Sequence, residues 1–159
     1  MTSAHSGGES GEFSIRQAGF SDIDRIVPLF DAYRCFYGQQ SDLAGARQFI
    51  HDRLCNLQSV IFLAVDGAGE ALGFIQLYKS FSSVSMRRIW ILNDLYVVET
   101  ARGLGVARAL MLEARTFSIE TEAKGLILAT AHDNQPAKKL YESLGFVRDD
   151  EFYHYFLST

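Results

Sequence analysis

Hydrophobic and polar positions along this chain change period several times, and each change marks the edge of an element. Phe13 to Gln17 alternates apolar and polar residues and predicts a first strand. Ser21 or Asp22 then offers a helix cap, and Ile23, Ile26, Val27, Phe30, Tyr33 and Phe36-Tyr37 recur at helical spacing. Pro28 falls inside that pattern and predicts a kink or a restart of the helix. A second helix is predicted over Leu43 to Leu54. Ser59 to Val65 and Ala71 to Tyr78 are β-branched and aromatic runs. The turn Asp66-Gly67-Ala68-Gly69-Glu70 between them makes an antiparallel hairpin. Arg88 to Val98 reads as a third long strand.

From Gly105 the spacing becomes helical again. Val106, Leu110, Met111, Ala114 and Phe117 form one apolar stripe that runs to Glu120. Gly125 to Ala131 is almost wholly apolar, as a strand buried on both faces would be. Asp133 or Asn134 can cap a further helix, with Pro136 tolerated in its first turn and Gly145 ending it. Phe146-Val147 and Glu151 to Leu157 are the last predicted strands. This order gives one α/β domain over residues 13–159, after a flexible polar tail, Met1 to Glu12.

Composition agrees with a globular domain: 159 residues, 48% hydrophobic and 21% charged. The twelve Phe and seven Tyr are expected mostly in the core. No apolar stretch approaches the roughly 18 residues of a membrane span, and the tail lacks the apolar middle of a signal peptide. The formal net charge is −4 and no basic run stands out, which argues against nucleic acid as a partner. Cys35 and Cys55 have no metal or redox spacing, so two buried thiols in a reducing cytosol is the reading, ahead of a structural disulfide. A cytoplasmic protein without a metal is expected.

The strand ending at Val98, the loop Arg102-Gly103-Leu104-Gly105-Val106-Ala107 and the helix after it form an anion site. A first helical turn leaves N–H groups without partners and carries partial positive charge. Glycines let that backbone approach a phosphate, and Arg102 and Arg108 can add charge-assisted contacts. A tight turn with no ligand explains the spacing equally well. The dinucleotide fingerprint needs a third glycine where Arg108 stands, and the nucleotide P-loop needs a Gly-Lys-Ser/Thr that is absent. A pyrophosphate ligand remains.

Arg102, Gly105 and Ala107 meet the Arg/Gln-x-x-Gly-x-Gly/Ala pattern of the GCN5-related N-acetyltransferases, and here the sequence resembles that family. A second signature follows in Asn134, Ala137, Leu140-Tyr141 and Gly145-Phe146. The resemblance covers nearly everything but the tail. It implies a mixed, mostly antiparallel central sheet of about seven strands with helices on both faces, splayed at a bulge. Acetyl-CoA is the implied co-substrate, held by the loop residues Arg102 to Arg108, by Asn134 and Ala137, and by main-chain groups of Leu95, Tyr96 and Val97. A backbone N–H near Leu95 would stabilise the developing oxyanion.

By the same resemblance Tyr141 is the general acid for the departing thiolate, against the alternative of a helix aromatic packing on the sheet. Asp94 is the candidate base for an acceptor amine that is mostly protonated at neutral pH. The alternative is a structural carboxylate paired with an Arg. His132 and His154 rank below it. The stretch Tyr33-x-x-Phe36-Tyr37 with Trp90 to Asp94 is closest in look to the diamine/polyamine and histone-type branch. Tyr33, Tyr37 and Asn93 are therefore candidate substrate contacts, with the stretch Phe81-Ser82-Ser83 beside them. Plain core packing of Tyr33 and Phe36 is the competing reading. Diamine acetyltransferases carry Glu-Asp where this chain has Asn93-Asp94, which removes one carboxylate. Acetylation of a small primary amine is the leading expectation, with a protein or peptide amine as the alternative and a non-catalytic acyl-CoA-binding module third. Family members often pair through C-terminal strands, and the aromatic run Phe152-Tyr153-His154-Tyr155-Phe156 suits either a core strand or the edge of a homodimer.

Overall fold

The structure is a computed structural model that describes residues 12–159, so the expected flexible tail lies outside the described residues except for Glu12. Two compact units divide the chain, Met1–Leu128 and Ala129–Thr159.

In the first unit a mixed five-stranded sheet runs in chain order, β1 (Phe13–Gln17), β2 (Ser59–Asp66), β3 (Ala71–Ser82), β4 (Arg87–Val97) and β5 (Leu126–Ile127). The first three pairings are antiparallel and β4–β5 is parallel. Helices α1 (Ile23–Phe36), α2 (Leu43–Cys55) and α3 (Val106–Glu120) complete it. Because side chains alternate across a strand, neighbours in sequence serve different helices. Phe74, in register with Leu63, meets Phe30 of α1 at 6.4 Å between ring centres. Phe62 meets Phe117 of α3 at 5.5 Å. The α1/α2 layer and α3 thus cover opposite faces, each on an apolar set that includes Ile26 and Ile50 on one side and Leu110 and Ala114 on the other.

Local chemistry fixes the element ends. Asp42 caps α2 by accepting from the Gly45 N–H at 2.8 Å. Buried Asp31 holds the α1–α2 connection by accepting from Ser41 Oγ, the Asp42 N–H and Arg34 Nη1. The α1 helix continues through Pro28 without a restart. At the start of that helix Asp22 accepts from both Nη atoms of Arg16, at 2.9 and 2.6 Å, and from the Gly19 N–H at 3.0 Å.

Four expectations need correction. The sheet has five strands, not about seven, because residues 144–159 form no strand. The expected strand Gly125 to Ala131 is reduced to Leu126–Ile127, with Ile127 half exposed rather than buried on both faces. Apolar content cannot by itself distinguish a covered strand from an extended segment. Cys35 and Cys55 are both free and exposed, not buried: each sits near the C-terminal end of its helix, away from the stripe that faces the sheet. Phe36 likewise is exposed, so the core reading fails for it.

In the second unit, helix α4 (Gln135–Ser143) is capped by Asn134, whose side chain accepts from the Ala137 N–H at 3.4 Å. Pro136 occupies its first turn, as expected, and Gly145 follows its end with φ +90°.

Candidate functional site

The β3–β4 pairing contains a bulge. Gln76 is opposite Asp94 and Leu77 is opposite Leu92, so Asn93 has no counterpart on β3. The extra residue rephases the strand. In an unbroken strand Asp94 would share the α3 face with Leu92 and Trp90; the bulge turns it to the α1/α2 face instead. Parallel pairing to β5 covers only Trp90–Leu126 and Ile91–Ile127, so β5 ends before the bulge. Leu95, Tyr96 and Val97 lie beyond that point, in register with Ile75, Phe74 and Gly73. That position is where the resemblance puts main-chain contacts to the donor.

On the α1/α2 face, α1, α2, β3 and β4 enclose a cleft of about 530 Å³. Tyr33, Tyr37, Asn93 and Asp94 all line it, so the three expected acceptor contacts and the candidate base share one cleft. Phe81 is exposed and takes no part, because alternation along β3 puts it on the face opposite to that of Tyr78 and the cleft. Arg34, Phe49 and Tyr78 line the cleft without having been foreseen.

Asp94 is only 3% exposed. Burial pushes its carboxyl above the usual range; donors from Gln76, Asn93 and Tyr33 act the other way, favouring the ionised form. Gln76 Nε2 donates to Oδ2 and Asn93 Nδ2 to Oδ1, the latter at 3.0 Å. The Tyr33 hydroxyl also lies 3.2 Å from the Asn93 carbonyl oxygen. Among the described residues no arginine, lysine or histidine forms an ion pair with Asp94, unlike the expected alternative of a structural Asp–Arg pair; Arg34, on the same cleft, pairs with Asp31 instead. Gln76 bridges further, donating to the Tyr78 hydroxyl at 3.1 Å. Burial and the Asp94 charge both push the Tyr78 hydroxyl upward, so it stays protonated while it accepts from Gln76. Gln76 was missed, yet a signal existed: a glutamine inside the apolar run Phe74-Ile75-Gln76-Leu77 must find buried partners.

After β4 a 3₁₀ turn, Glu99–Ala101, leads into the glycine loop. Gly103 and Gly105 have φ of +78° and +85°, conformations that side-chain-bearing residues rarely adopt. Gly105 is also the N-cap of α3, and no side chain caps that end. Early N–H groups of the helix therefore lack a side-chain partner. A Cβ added at either glycine would meet nothing within 4 Å, so the backbone there is open to close approach. Val106, 1% exposed, anchors the helix start in the core. Arg102 donates from Nε to the Val97 carbonyl at 3.0 Å and lies over the Tyr96 ring, bracing loop to strand. Its guanidinium remains 47% exposed, which leaves it reach for an anion. Leu104 and Arg108 are exposed beside it.

In the second unit, Tyr141 sits on α4 with its ring centre 6.0 Å from that of Phe146, and its carbonyl accepts from the Phe146 N–H at 3.1 Å. The two ends of the second signature are thus tied together locally. His132 offers its carbonyl to Lys138 Nζ at 3.4 Å, and His154 lies in the extended C-terminal segment.

The chain matches the acetyltransferase (GNAT) family over residues 26–146. It is 50% identical over 146 residues to an uncharacterized N-acetyltransferase, YhfO, of Bacillus subtilis, covering 92% of this chain and 97% of that one. A probable acetyltransferase of Haemophilus influenzae is 33% identical over 125 residues, 79% of this chain and 84% of its own. The crystal structure of a probable acetyltransferase superposes with a TM-score of 0.88 at 46% identity, covering 92% of this chain and 97% of that one.

Proposed function

The chain belongs to the acetyltransferase (GNAT) family, and on that premise we propose that it acetylates a primary amine of a small molecule by direct attack in a ternary complex. The carrying observation is Asp94: a buried carboxylate held by neutral donors, with no ion pair among the described residues, lining a cleft of about 530 Å³ whose Arg34 is already paired with Asp31. An acceptor ammonium supplies the missing positive charge, and Asp94 then takes its proton, directly or through water. Tyr33, Tyr37 and Asn93 orient the amine, the tyrosine faces by cation–π contact and Asn93 from the bulge. A polyamine suits the aromatic walls.

Acetyl-CoA, the donor the family uses, brings an activated thioester. The open backbone at Gly103 and Gly105 and the uncapped start of α3 suit its pyrophosphate, together with Leu104, Val106, Ala107 and the side chains of Arg102 and Arg108. Main-chain groups of Leu95, Tyr96 and Val97 polarise the thioester carbonyl. Asn134 and Ala137 contribute from α4, and Tyr141 protonates the leaving thiolate. Residues 13–159 act as one acetyltransferase domain, and the family match runs through both compact units.

A second reading has its own support. Human N-alpha-acetyltransferase 30 is 34% identical over 112 residues, 70% of this chain and 29% of that protein, and its name places its acceptor at an α-amine, the kind a peptide N-terminus carries. Thiol release from acetyl-CoA, measured against polyamines, free amino acids, aminoglycosides and N-terminal and lysine peptides, separates the two. Turnover with a small amine alone supports the first, and turnover with peptides alone replaces it by the second. Absence of CoA binding in a calorimeter sinks both.

A further inference from the structure

A second hollow, of about 320 Å³, opens in the first unit and shares no lining residue with the cleft at Asp94. It is walled by apolar groups, among them Phe20, Trp90 and Phe117, and it holds two cations, Lys79 and Arg88, with no aspartate or glutamate in its lining. In a protein of net charge −4 that is an unusual local excess. Lys79 is directly opposite Trp90 in the β3–β4 register, and Arg88 is opposite Phe81 two positions further along, so both cations lie on the Trp90 side of the sheet. Asp94 and Tyr78 are on the other side. Arg88 and Val97 are nine residues apart along β4, so roughly 30 Å of strand separates the hollow from the glycine loop.

Of the described residues, three have a buried side-chain polar atom without a hydrogen-bond partner, and one of these, Arg88 Nε, belongs to this lining on the Trp90 side; Ser59, opposite Tyr78, turns its Oγ to the other face. Such atoms cost free energy unless something satisfies them. The Arg88 guanidinium lies 5.4 Å from the Trp90 ring centre, which holds it in place. Trp90 is in turn fixed by donating from Nε1 to Thr121 Oγ1 at 2.8 Å and by its tilted contact with Phe117.

We propose that this hollow binds a small organic carboxylate with an apolar, arene-sized body. The carboxylate accepts from Arg88 Nε and from the Lys79 ammonium, and the body packs against Phe20, Trp90 and Phe117. The site is independent of the acetyl-transfer reading and stands whichever amine the enzyme uses.

Trp90 is the single tryptophan of the sequence and lines the hollow, so its fluorescence reports from within this site. Titration of the whole chain with phenylacetate is expected to give a saturable change with a dissociation constant of about 1 mM or tighter. Phenylacetamide, of the same shape without the charge, is expected to bind at least about tenfold more weakly. Arg88→Met is expected to abolish the change while CoA affinity persists; if that variant does not fold, Lys79→Gln, at an exposed position, is expected to weaken binding severalfold. No saturable change up to about 10 mM overturns the proposal. So does equal binding of the amide, or binding unaltered in the variants. Inorganic phosphate matching phenylacetate would overturn it as well, since the apolar body would then contribute nothing.

Discussion

Gln76 is directly opposite Asp94 across the β3–β4 pairing and donates from Nε2 to its carboxylate, immediately beside the residue that bulges out of the ladder. The same amide leaves its Oε1 buried and without a partner. One side chain thus holds the candidate base in position while keeping an acceptor in reserve.

That geometry predicts the outcome of Asp94→Asn. Turnover is expected to fall by about 10²- to 10⁴-fold, as for loss of a general base. Stability is expected to hold or rise at neutral pH. Burial raises the Asp94 carboxyl in the folded state, so ionising it costs the fold stability as pH climbs from the unfolded value through the folded one. An uncharged asparagine removes that cost, and a turn of the Gln76 amide lets Oε1 accept from it. Amine acetylation rates and thermal melts at neutral pH test the pair; a large loss of stability would show Asp94 to be structural.

The loop makes a different prediction. Gly105→Val forces a β-branched residue to φ +85°, a strain of about 1–3 kcal/mol, with no neighbour within 4 Å of the new Cβ to clash with. CoA affinity is expected to fall roughly tenfold or more, because the start of α3 shifts and a side chain stands where the pyrophosphate approaches. Calorimetry with CoA reads this directly, and unchanged affinity would displace the donor site from the loop.

For Tyr141→Phe, the ring and its contact with Phe146 remain while the hydroxyl is lost. Turnover is expected to drop by about 10²-fold or more with CoA affinity unchanged. Undiminished turnover would take the acid role from Tyr141 and leave the rest of the site intact.

Asp22 governs acid stability. Its bonds to Arg16 hold its carboxyl down at about 2 in the folded chain. A depressed carboxyl stabilises the fold above its unfolded value of about 4, and the contribution fades as pH falls toward about 2. Asp22→Asn is therefore expected to cost about 2 kcal/mol at pH 7, and the deficit should shrink between about pH 4 and pH 2. Urea unfolding of both proteins across that range checks it; a deficit that does not vary with pH would assign the effect to packing.

Much was legible in the chain without its structure. Local patterns marked Asn134 as one of two candidate caps, the extent of α3 to Glu120 and the glycine loop, whereas the Asp42 cap went unread. Spacing and short-range hydrogen bonds suffice for such features, which is why Arg102, Gly105 and Asn134 could mark the family. The acceptor side was not legible in that way. Tyr33 and Asp94 are sixty-one positions apart, and which face Asp94 takes depends on one unmatched residue, Asn93. A strand of period two gives no warning of where it will slip, because the slip is set by pairing with β3 and by the burial of Gln76. The sequence by itself marked the glycine loop and the order of elements through α4; only the tertiary register decided that Asp94 faces the cleft, since a bulge is a relation between two strands and is written in neither alone.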